Sequence, residues 1–426
     1  MKPPIPAIDQ IETVADNGLL HRRAFLKAGA AGAVLAGATP FMSAQAAPPE
    51  VDSWSKVPGR SPEAYGLRSD FESGVVRAAG FNPVATGAGA SRTPLADLEG
   101  IITPGALHFE RHHNGIPTID PSEHRLLIHG LVERPLIFDL DSLSRYPQVS
   151  RIQFLECSGN SAALNAPQAA TATVQGLHGL VSCSEWTGVP LSILLDEVGV
   201  QTEGRWVLAE GADSALMTRS IPLSKIMDDA IVAIYQNGER LRPGNGYPMR
   251  LFLPGWEGNM SVKWLRRLKV TSAPTFTRDE TSHYTDLQRD GSALIFTFPM
   301  DVKSVITSPS GEQSMRGPGL YQISGIAWTG AGRIRRVEVS ADGGRTWGEA
   351  ELDGAVLSKA LTRFRMPWRW NGGPAILQSR AIDETGAVQP TRASLMNDRG
   401  PQHGYHYHAI QSWQVNENGE VHNVYA

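Results

Sequence analysis

The sequence predicts an α+β fold in which a larger mixed domain precedes a β-sandwich. The chain of 426 residues is too long for one typical domain. Its 43 glycines and 29 prolines suit a loop-rich, strand-rich fold better than a helical bundle. From residue 299 onward, short strands separated by turns replace the mixed pattern, which is typical of an immunoglobulin-like sandwich. Two domains are therefore expected, over residues 96–298 and 299–426.

The N-terminal region predicts a twin-arginine export signal over residues 1–46. His21-Arg22-Arg23-Ala24-Phe25-Leu26-Lys27 has the twin-arginine pattern, and Ala44-Gln45-Ala46 supplies small residues for cleavage. The apolar stretch between them, residues 28–38, has about half of the roughly 20 residues that a spanning helix needs, which disfavours a membrane anchor. Because this route carries folded proteins, we expect a periplasmic protein whose cofactor is inserted before export.

Composition excludes several other classes of protein. A formal net charge of -4 gives no electrostatic support for nucleic-acid binding. With only two cysteines, Cys157 and Cys183, the chain has no Cys-x-x-Cys-His for covalent haem and no set of four thiolates for an iron–sulfur cluster. No Gly-x-Gly-x-x-Gly follows a predicted strand, which disfavours a dinucleotide site. In an oxidising compartment, a disulfide between the two cysteines is an open alternative.

Residues 47–95 are rich in Gly, Pro, Ser and Ala and are expected to form an extended arm before the mixed domain. The predicted strands of that domain cover residues 125–130, 151–156, 231–235 and 249–253, with partial alternation over 262–270, and the predicted helices cover 139–146 and 190–198. The strand over 151–156 runs directly into Cys157-Ser158-Gly159-Asn160, so Cys157 falls on a tight turn where the strand ends. Reactive groups on rigid strand ends are common in active sites.

The second domain has its own turn and aromatic signals. Residues 321–328 and 334–340 predict strands, and Ala341-Asp342-Gly343-Gly344 predicts a hairpin turn. Trp368 and Trp370 fall on one face of a strand, which predicts sandwich packing or a dimer contact. The run His403-Gly404-Tyr405-His406-Tyr407-His408 is expected to pack at a strand edge or an interface, without chemistry.

Five segments, taken together, resemble the sulfite oxidase family of molybdenum enzymes. They are residues 154–160, 246–250, 261–265, 325–330 and 339–347, and they follow the family's order over nearly all of the mature chain. The resemblance implies a molybdopterin-binding domain followed by a dimerisation domain, with a molybdenum–molybdopterin cofactor and a homodimer. It also implies a c-type cytochrome subunit as electron acceptor, because the chain itself has no haem motif.

The resemblance implies a role for ten residues. Cys157 becomes the thiolate ligand of molybdenum, since soft thiolates suit such metals, and Cys183 becomes a buried free thiol. Arg111 and Tyr284 become catalytic residues. A phosphate and a polar pterin need cations and hydrogen-bond donors. The implied cofactor-binding residues are Arg111, His113, Asp213, Asn245, Arg250, Ser261, Val262 and Lys263.

A zinc site is the alternative for the histidines around residue 110. His108 and His112 are four residues apart, and His113 follows them. No helix is predicted there, which weakens the zinc interpretation. The resemblance instead implies that His113 contacts the pterin.

Three departures from the sulfite oxidases bear on the substrate. Sulfite oxidases carry two arginines after the cysteine turn, where this chain has Ser161 and Ala162. They also carry a tryptophan after a Gly-Leu-x sequence, where this chain has Gly176-Leu177-His178-Gly179. Finally, Asn245 replaces a pterin-binding histidine. Fewer cations and smaller side chains predict an open pocket that binds a free dianion weakly. The sequence at these positions is similar to that of the sulfane dehydrogenases of the family. The similarity implies that the substrate is sulfane sulfur on a carrier protein and that the added oxygen comes from water. Oxidation of sulfite to sulfate is the alternative reaction, and a disulfide-bonded binding protein is the alternative of another class.

Overall fold

The computed structural model describes residues 13–21, 50–82, 85–401 and 403–426. The predicted twin arginines Arg22 and Arg23, the apolar stretch and the cleavage site lie outside the described residues. Across the described ranges, no helix is long and apolar enough to cross a membrane.

Two five-stranded sheets form the framework of the mixed domain. In the first, Leu265–Thr271 lies at the centre, parallel to Leu126–Gly130 and antiparallel to Trp206–Gly211. In the second, Ile231–Gln236 and Val181–Pro190 are neighbours. The remaining strands of the two sheets are Leu136–Phe138, Val149–Glu156, Thr218–Pro222, Glu239–Arg240 and Arg250–Phe252.

Every strand predicted in this domain is confirmed, with bounds that differ by a few residues. The alternation expected over 151–156 is replaced in Val149–Glu156 by four consecutive buried residues at the carboxyl end. Both faces of that end are therefore covered by protein. The stretch expected over 262–270 becomes a strand only at Leu265, because residues 261–263 face a pocket instead.

The helices of the mixed domain are short. Leu191–Val198 buries residues at the spacing of one helix face, and Gly199 ends it with a φ of 68°. The side chain of Asp139 caps Leu140–Leu143 by accepting a hydrogen bond from the Ser142 N–H. Both predicted helices are thus confirmed. The helices are Leu140–Leu143, Val174–His178, Leu191–Val198 and Leu223–Asp229.

The arm expected over 47–95 is exposed along its first part, including two single helical turns at Ser53–Ser55 and Asp70–Glu72. Its last part is structured. Ala78–Phe81 and Gly89–Arg92 pair with each other, and Gly89–Arg92 also pairs with Glu110–His112. The arm therefore ends as a small sheet that carries Arg111.

The C-terminal part is a two-sheet sandwich, as predicted. One sheet contains Lys303–Ser308, Gly319–Trp328, Glu351–Asp353 and Thr362–Trp370. The facing sheet contains Ile334–Ser340, Gly348–Glu349, Ala375–Asp383, Ser412–Val415 and Val421–Val424, in the order that the pairing gives. A two-stranded ribbon, Asp286–Leu287 with Ala293–Leu294, and the helix Arg392–Arg399 complete the elements.

Trp368 and Trp370 are buried in the sandwich, 6.3 Å apart between ring centroids. Of the two predictions made for this pair, sandwich packing is confirmed. A hairpin of the N-terminal region, Thr13–Ala15 with Leu19–Leu20, also joins this sheet beside Trp368. This pairing is not predicted from the sequence, in which the segment falls within the expected export signal.

The two cysteines are both free thiols, so the disulfide alternative is wrong. Cys183 lies near the start of Val181–Pro190, opposite Phe154, and is fully buried. Cys157 lies on the turn after Val149–Glu156, as expected.

Candidate active site

A pocket of about 690 Å³ opens beside the cysteine turn. It is bounded by the strand Glu110–His112 and by residues 244–264 of the mixed domain. All ten residues for which the family resemblance implies a role line it. They are Arg111, His113, Cys157, Asp213, Asn245, Arg250, Ser261, Val262, Lys263 and Tyr284.

The cysteine turn is fixed by hydrogen bonds on both sides. The Cys157 N–H donates to the Leu180 carbonyl at 2.9 Å, and the Asn160 N–H donates back to the Cys157 carbonyl at 2.8 Å. The Asn160 amide donates to Glu156 Oε1 at 2.9 Å. Burial raises the pKa of the Cys157 thiol, while the nearby Arg111 opposes that rise. A bound metal ion deprotonates such a thiol outright, so this position can supply a thiolate ligand.

Behind the turn, the Glu156 carboxylate is fully paired by groups of the sandwich. Oε1 accepts from Lys303 Nζ at 3.1 Å, and Oε2 accepts from the Trp328 indole N–H at 2.6 Å. Lys303 also donates to Ser161 Oγ at 2.9 Å. The C-terminal sandwich therefore supports the residue that precedes Cys157.

Ser161 occupies one of the two positions at which sulfite oxidases carry an arginine, and it does not line the pocket. Its hydroxyl is bonded to Lys303 and, at 2.7 Å, to His178 Nδ1. His178, from the segment where the family carries a tryptophan, is 1% exposed, and its other nitrogen is bonded to Gln411 at 3.1 Å. Burial lowers the pKa of His178 to about 3, so the ring is neutral.

Opposite the cysteine turn, two cations form a wall without carboxylate partners. Arg250 is 2% exposed and donates to the carbonyls of Asn245 and Ser261 at 3.0 and 2.7 Å. Lys263 donates to His112 Nδ1 at 2.9 Å and to two carbonyls, those of Arg111 and Gly244. In the described ranges neither cation has an ion pair with a carboxylate. We call Arg250 and Lys263 the cation wall.

Burial is the main cause of the altered acidity of this wall. It lowers the pKa of Arg250 to about 9 and the pKa of Lys263 to about 7, with repulsion between the two cations adding to the second effect. A cation whose charged form is disfavoured in this way is stabilised by an anion brought into the pocket.

The lining of the pocket also contains buried polar atoms that have no hydrogen-bond partner. Arg250 Nε and His108 Nε2 are buried, and both residues line the pocket. Leaving such groups unpaired is costly, and native proteins usually satisfy them. Arg250 Nε is an unpaired donor, whereas Nε2 of the neutral His108 ring is an unpaired acceptor, because its Nδ1–H donates to the Phe109 carbonyl. These groups and the unneutralised charge fit a phosphate-bearing, polar cofactor such as molybdopterin. Asp213, whose carboxylate accepts a 3.3 Å bond from the Met217 N–H, adds an acceptor for a pterin N–H.

The zinc alternative is wrong. Both ring nitrogens of His112 are engaged, Nε2 with Glu110 at 2.9 Å and Nδ1 with Lys263. His108 Nδ1 bonds the Phe109 carbonyl at 2.9 Å. Among the residues that the structure describes, no group of three or more metal ligands of the His, Cys, Asp and Glu types is found.

Arg111, His113 and Tyr284 also line the pocket. Arg111 is exposed and bonds the His112 carbonyl, and the described part of the chain gives it no carboxylate partner. His113 Nε2 lies 3.1 Å from the Tyr284 hydroxyl. Burial lowers the pKa of His113 to about 4 and raises the pKa of Tyr284, so both groups are neutral near pH 7.

Tyr284 is supported by residues that the sequence did not predict. The Arg219 guanidinium lies 4.8 Å from its ring centroid, and Arg219 is itself fully buried between Glu257 and Glu280, at 3.2 and 2.9 Å. No motif surrounds Arg219 in the sequence; only the fold brings these charges together. The ring of Tyr405 lies 5.4 Å from that of Tyr284.

Tyr405 belongs to the histidine-rich tract over residues 403–408, which was expected only to pack. It packs on the site itself. The His406 N–H donates to the carbonyl of Ser158, next to Cys157, at 2.8 Å, and the His406 ring lies 3.5 Å from Glu257. The C-terminal tract therefore packs behind the cysteine turn and Tyr284.

Comparisons with known proteins agree with this geometry. The family described as oxidoreductase molybdopterin binding domain matches residues 113–278, and the Mo-co oxidoreductase dimerisation domain family matches residues 295–412. The chain is 46% identical to a chain of the crystal structure of the sulfane dehydrogenase SoxCD from Paracoccus pantotrophus. That match has a TM-score of 0.85 and covers 88% of this chain and 97% of that one.

The chain belongs to the sulfite oxidase family of molybdopterin oxidoreductases. It is 31% identical to the mitochondrial sulfite oxidase of Mus musculus over 343 residues, which are 73% of this chain and 61% of that protein. It is 33% identical to the NADH nitrate reductase of Ulva prolifera over 314 residues, 66% of this chain and 36% of that protein. The chain thus spans only part of these two relatives. The family and the order of the two domains, as predicted, are confirmed.

Proposed function

We propose that the chain is the molybdenum subunit of a periplasmic sulfane dehydrogenase. It oxidises sulfane sulfur held on a carrier protein, takes oxygen from water and passes electrons to a c-type cytochrome subunit. The observation that carries the choice of substrate is the position of Ser161. Where a sulfite oxidase offers a second arginine, this chain has a buried hydroxyl bonded to Lys303 and His178. The 46% identity to the SoxCD chain supports the same choice.

The residues that hold the cofactor follow from the pocket. Cys157 supplies the thiolate, and the cation wall faces the phosphate and the pterin. Asp213 accepts from the pterin ring, and His113, Asn245, Ser261 and Val262 complete the polar lining. When bound, the cofactor supplies two-electron transfer of oxygen to sulfur.

Arg111 and Tyr284 act on the substrate. Arg111 stabilises the negative charge that develops on the oxidised sulfur, since no carboxylate neutralises it among the described residues. We place the proton of neutral His113 on Nε2, from which it donates to the Tyr284 oxygen at 3.1 Å. The phenol hydrogen is then free to donate a hydrogen bond to a bound substrate.

The partners follow from what the chain lacks. Its two cysteines cannot provide a covalent haem site, so a separate cytochrome accepts the electrons. The dimerisation domain implies a homodimer of this subunit within the complex. The twin-arginine signal implies the periplasm as the place where carrier and cytochrome meet the enzyme.

The test is steady-state turnover of the purified protein with a c-type cytochrome as acceptor. Equal concentrations of free sulfite and of a carrier protein bearing a persulfide are compared. We expect kcat/KM for the carrier-bound sulfane to exceed that for sulfite by at least about tenfold, which is about 1.4 kcal/mol of transition-state discrimination. Equal or faster turnover of sulfite would contradict the proposal.

Sulfite dehydrogenase is the second candidate, and one observation favours it. Arg111 alone still gives the substrate side a cation without a carboxylate partner in the described ranges, as an anionic substrate requires. The same turnover experiment separates the two candidates.

A further inference from the structure

The segment just before the twin arginines is folded onto the C-terminal sandwich. Thr13–Ala15 and Leu19–Leu20 pair as a hairpin, and Leu19 pairs with Trp368 on the strand Thr362–Trp370. We call residues 13–20 the leader hairpin. Its last residue is one position from His21 and two positions from Arg22.

The leader hairpin fits an edge that the rest of the sandwich leaves open. Glu351–Asp353 pairs with residues 363–365 of Thr362–Trp370 and goes no further along it. The leader hairpin continues the sheet beyond that point, at Trp368. Unpaired strand edges accept further strands because their N–H and C=O groups are already aligned.

Its hydrogen bonds are specific to this place. The Arg369 N–H donates to the Gly18 carbonyl at 2.8 Å, and the Trp368 indole N–H donates to the Asn17 carbonyl at 2.8 Å. The Asn17 amide donates to the Ala341 carbonyl at 2.7 Å, and the Asp16 N–H donates to Thr346 Oγ1 at 2.9 Å. The last two acceptors flank the Asp342 turn that the sequence singled out.

The contact also buries apolar surface and leaves no room for other side chains. Leu19 and Leu20 are 0% and 1% exposed, and Leu19 is part of the sandwich core. Gly18 has a φ of 89°, and a Cβ there would lie 2.0 Å from the Arg369 carbonyl oxygen. Both the left-handed conformation and the close approach therefore require glycine at this position.

We propose that the leader hairpin is a docking segment that occupies this edge in the unprocessed chain and ties the export signal to the folded sandwich. The acceptor edge exists only after Gly319–Trp328 has paired with Thr362–Trp370. Docking therefore depends on the fold of the domain that follows in sequence. If the signal is cleaved after Ala46, the leader hairpin is released and the edge of Thr362–Trp370 at Trp368 loses its pairing partner. The docking rests on the fold alone, and only its link to export depends on the twin-arginine prediction.

The test is amide hydrogen exchange of the full-length protein. Leu19→Asp places a charge in the core contact, and Thr13→Asp places the same charge at an exposed position of the same hairpin. We expect exchange of the Arg369 amide to accelerate at least about 100-fold in Leu19→Asp and to stay near the wild-type rate in Thr13→Asp, as local opening predicts. Equal protection in all three proteins would overturn the proposal.

Adding the missing segment as a peptide distinguishes a strand edge that has only lost the leader hairpin from a sandwich that the substitution has unfolded. A synthetic peptide of residues 13–21 is added to full-length Leu19→Asp at millimolar concentration, which matches the effective concentration that a short tether gives. We expect it to restore the slow exchange of Arg369, while the same peptide carrying Leu19→Asp does not. Lost protection that the peptide fails to restore would also overturn the proposal. Neither readout uses turnover, so a failed substrate assignment leaves this test intact.

Discussion

Two groups of buried cations, one lining the pocket and one behind its walls, differ in how their charge is balanced. Lys303 and Arg219, behind the cysteine turn and Tyr284, lie against Glu156, Glu257 and Glu280. Arg250 and Lys263, across the pocket, donate hydrogen bonds to carbonyls and to a neutral histidine ring and lie over tryptophan rings, and no ion pair with a carboxylate balances them among the described residues. The charge of the first group is balanced by carboxylates of the protein itself, whereas the charge of the second group is not. Buried charge that the protein leaves unbalanced marks where a cofactor belongs, and balanced charge marks what supports the site.

The largest effect is expected at Cys157, which lies between the two groups. Cys157→Ser should lower turnover by more than about 100-fold, because even residues that only support a metal ligand cost about 10–100-fold. Its fold should be retained, as the turn's hydrogen bonds come from the backbone. Molybdenum content and thermal unfolding are measured together. Cys183→Ser is the matched control: it buries a hydroxyl far from the pocket and should cost about 1–3 kcal/mol of stability while activity per folded molecule persists.

The second prediction breaks the balanced group. Lys303→Met leaves the Glu156 carboxylate buried without its cation and should lower the free energy of unfolding by about 3–5 kcal/mol. Lys359→Met is the control, because Lys359 is partly exposed and its partner Asp229 keeps Lys225. That change should cost about 1 kcal/mol or less. Denaturant titration of both variants measures the two free energies of unfolding. Equal losses would show that the buried Lys303–Glu156 pair stabilises the fold no more than the partly exposed Lys359–Asp229 pair.

The third prediction breaks the cation wall. Arg250→Met removes an unbalanced charge but also leaves two carbonyls without a donor. These effects oppose each other, so the cofactor-free protein should change in stability by less than about 1 kcal/mol. Cofactor content after expression should fall at least about tenfold, since a buried cationic hydrogen bond to phosphate is worth about 1.5–3 kcal/mol. A large stability loss with normal cofactor content would reverse the assignment of the two groups.

The smallest effect concerns pH. The pKa of Lys263 is lowered to about 7 in the folded protein from an unfolded value near 10.5. The unfolded chain therefore binds more protons between these values, and the stability of the cofactor-free protein should rise with pH over this range. A single group contributes at most about 1.4 kcal/mol per pH unit. Lys263→Met should remove this part of the slope in a series of denaturant titrations, and an unchanged slope would show that Lys263 does not titrate there.

The sequence predicted the pocket well because its residues lie in short local motifs. Cys157, Arg250 and Lys263 sit in short segments whose joint resemblance to the family located them, and all of them line the pocket. The supporting residues could not be predicted in this way. Arg219 meets Glu280, and Glu156 meets Lys303, across long stretches of chain that only the fold closes.

The remaining differences have the same physical origin. The tract over residues 403–408 reaches the cysteine turn through a backbone N–H, which leaves no trace in side-chain patterns. The leader hairpin was hidden because a short turn of Asp16, Asn17 and Gly18 precedes a stronger export pattern. Local patterns thus identified residues that line the pocket, while the groups that support them needed the tertiary structure.

The central claim is that the cation wall and Cys157 hold a molybdenum–pterin cofactor. The most direct test measures molybdenum and pterin in full-length protein purified from molybdenum-supplied cells, beside Arg250→Met prepared in the same way. We expect molybdenum and pterin in equimolar amounts with the wild-type chain and a marked loss of both from the folded variant. A folded wild-type protein without molybdenum, or a variant that retains the full cofactor, would contradict it.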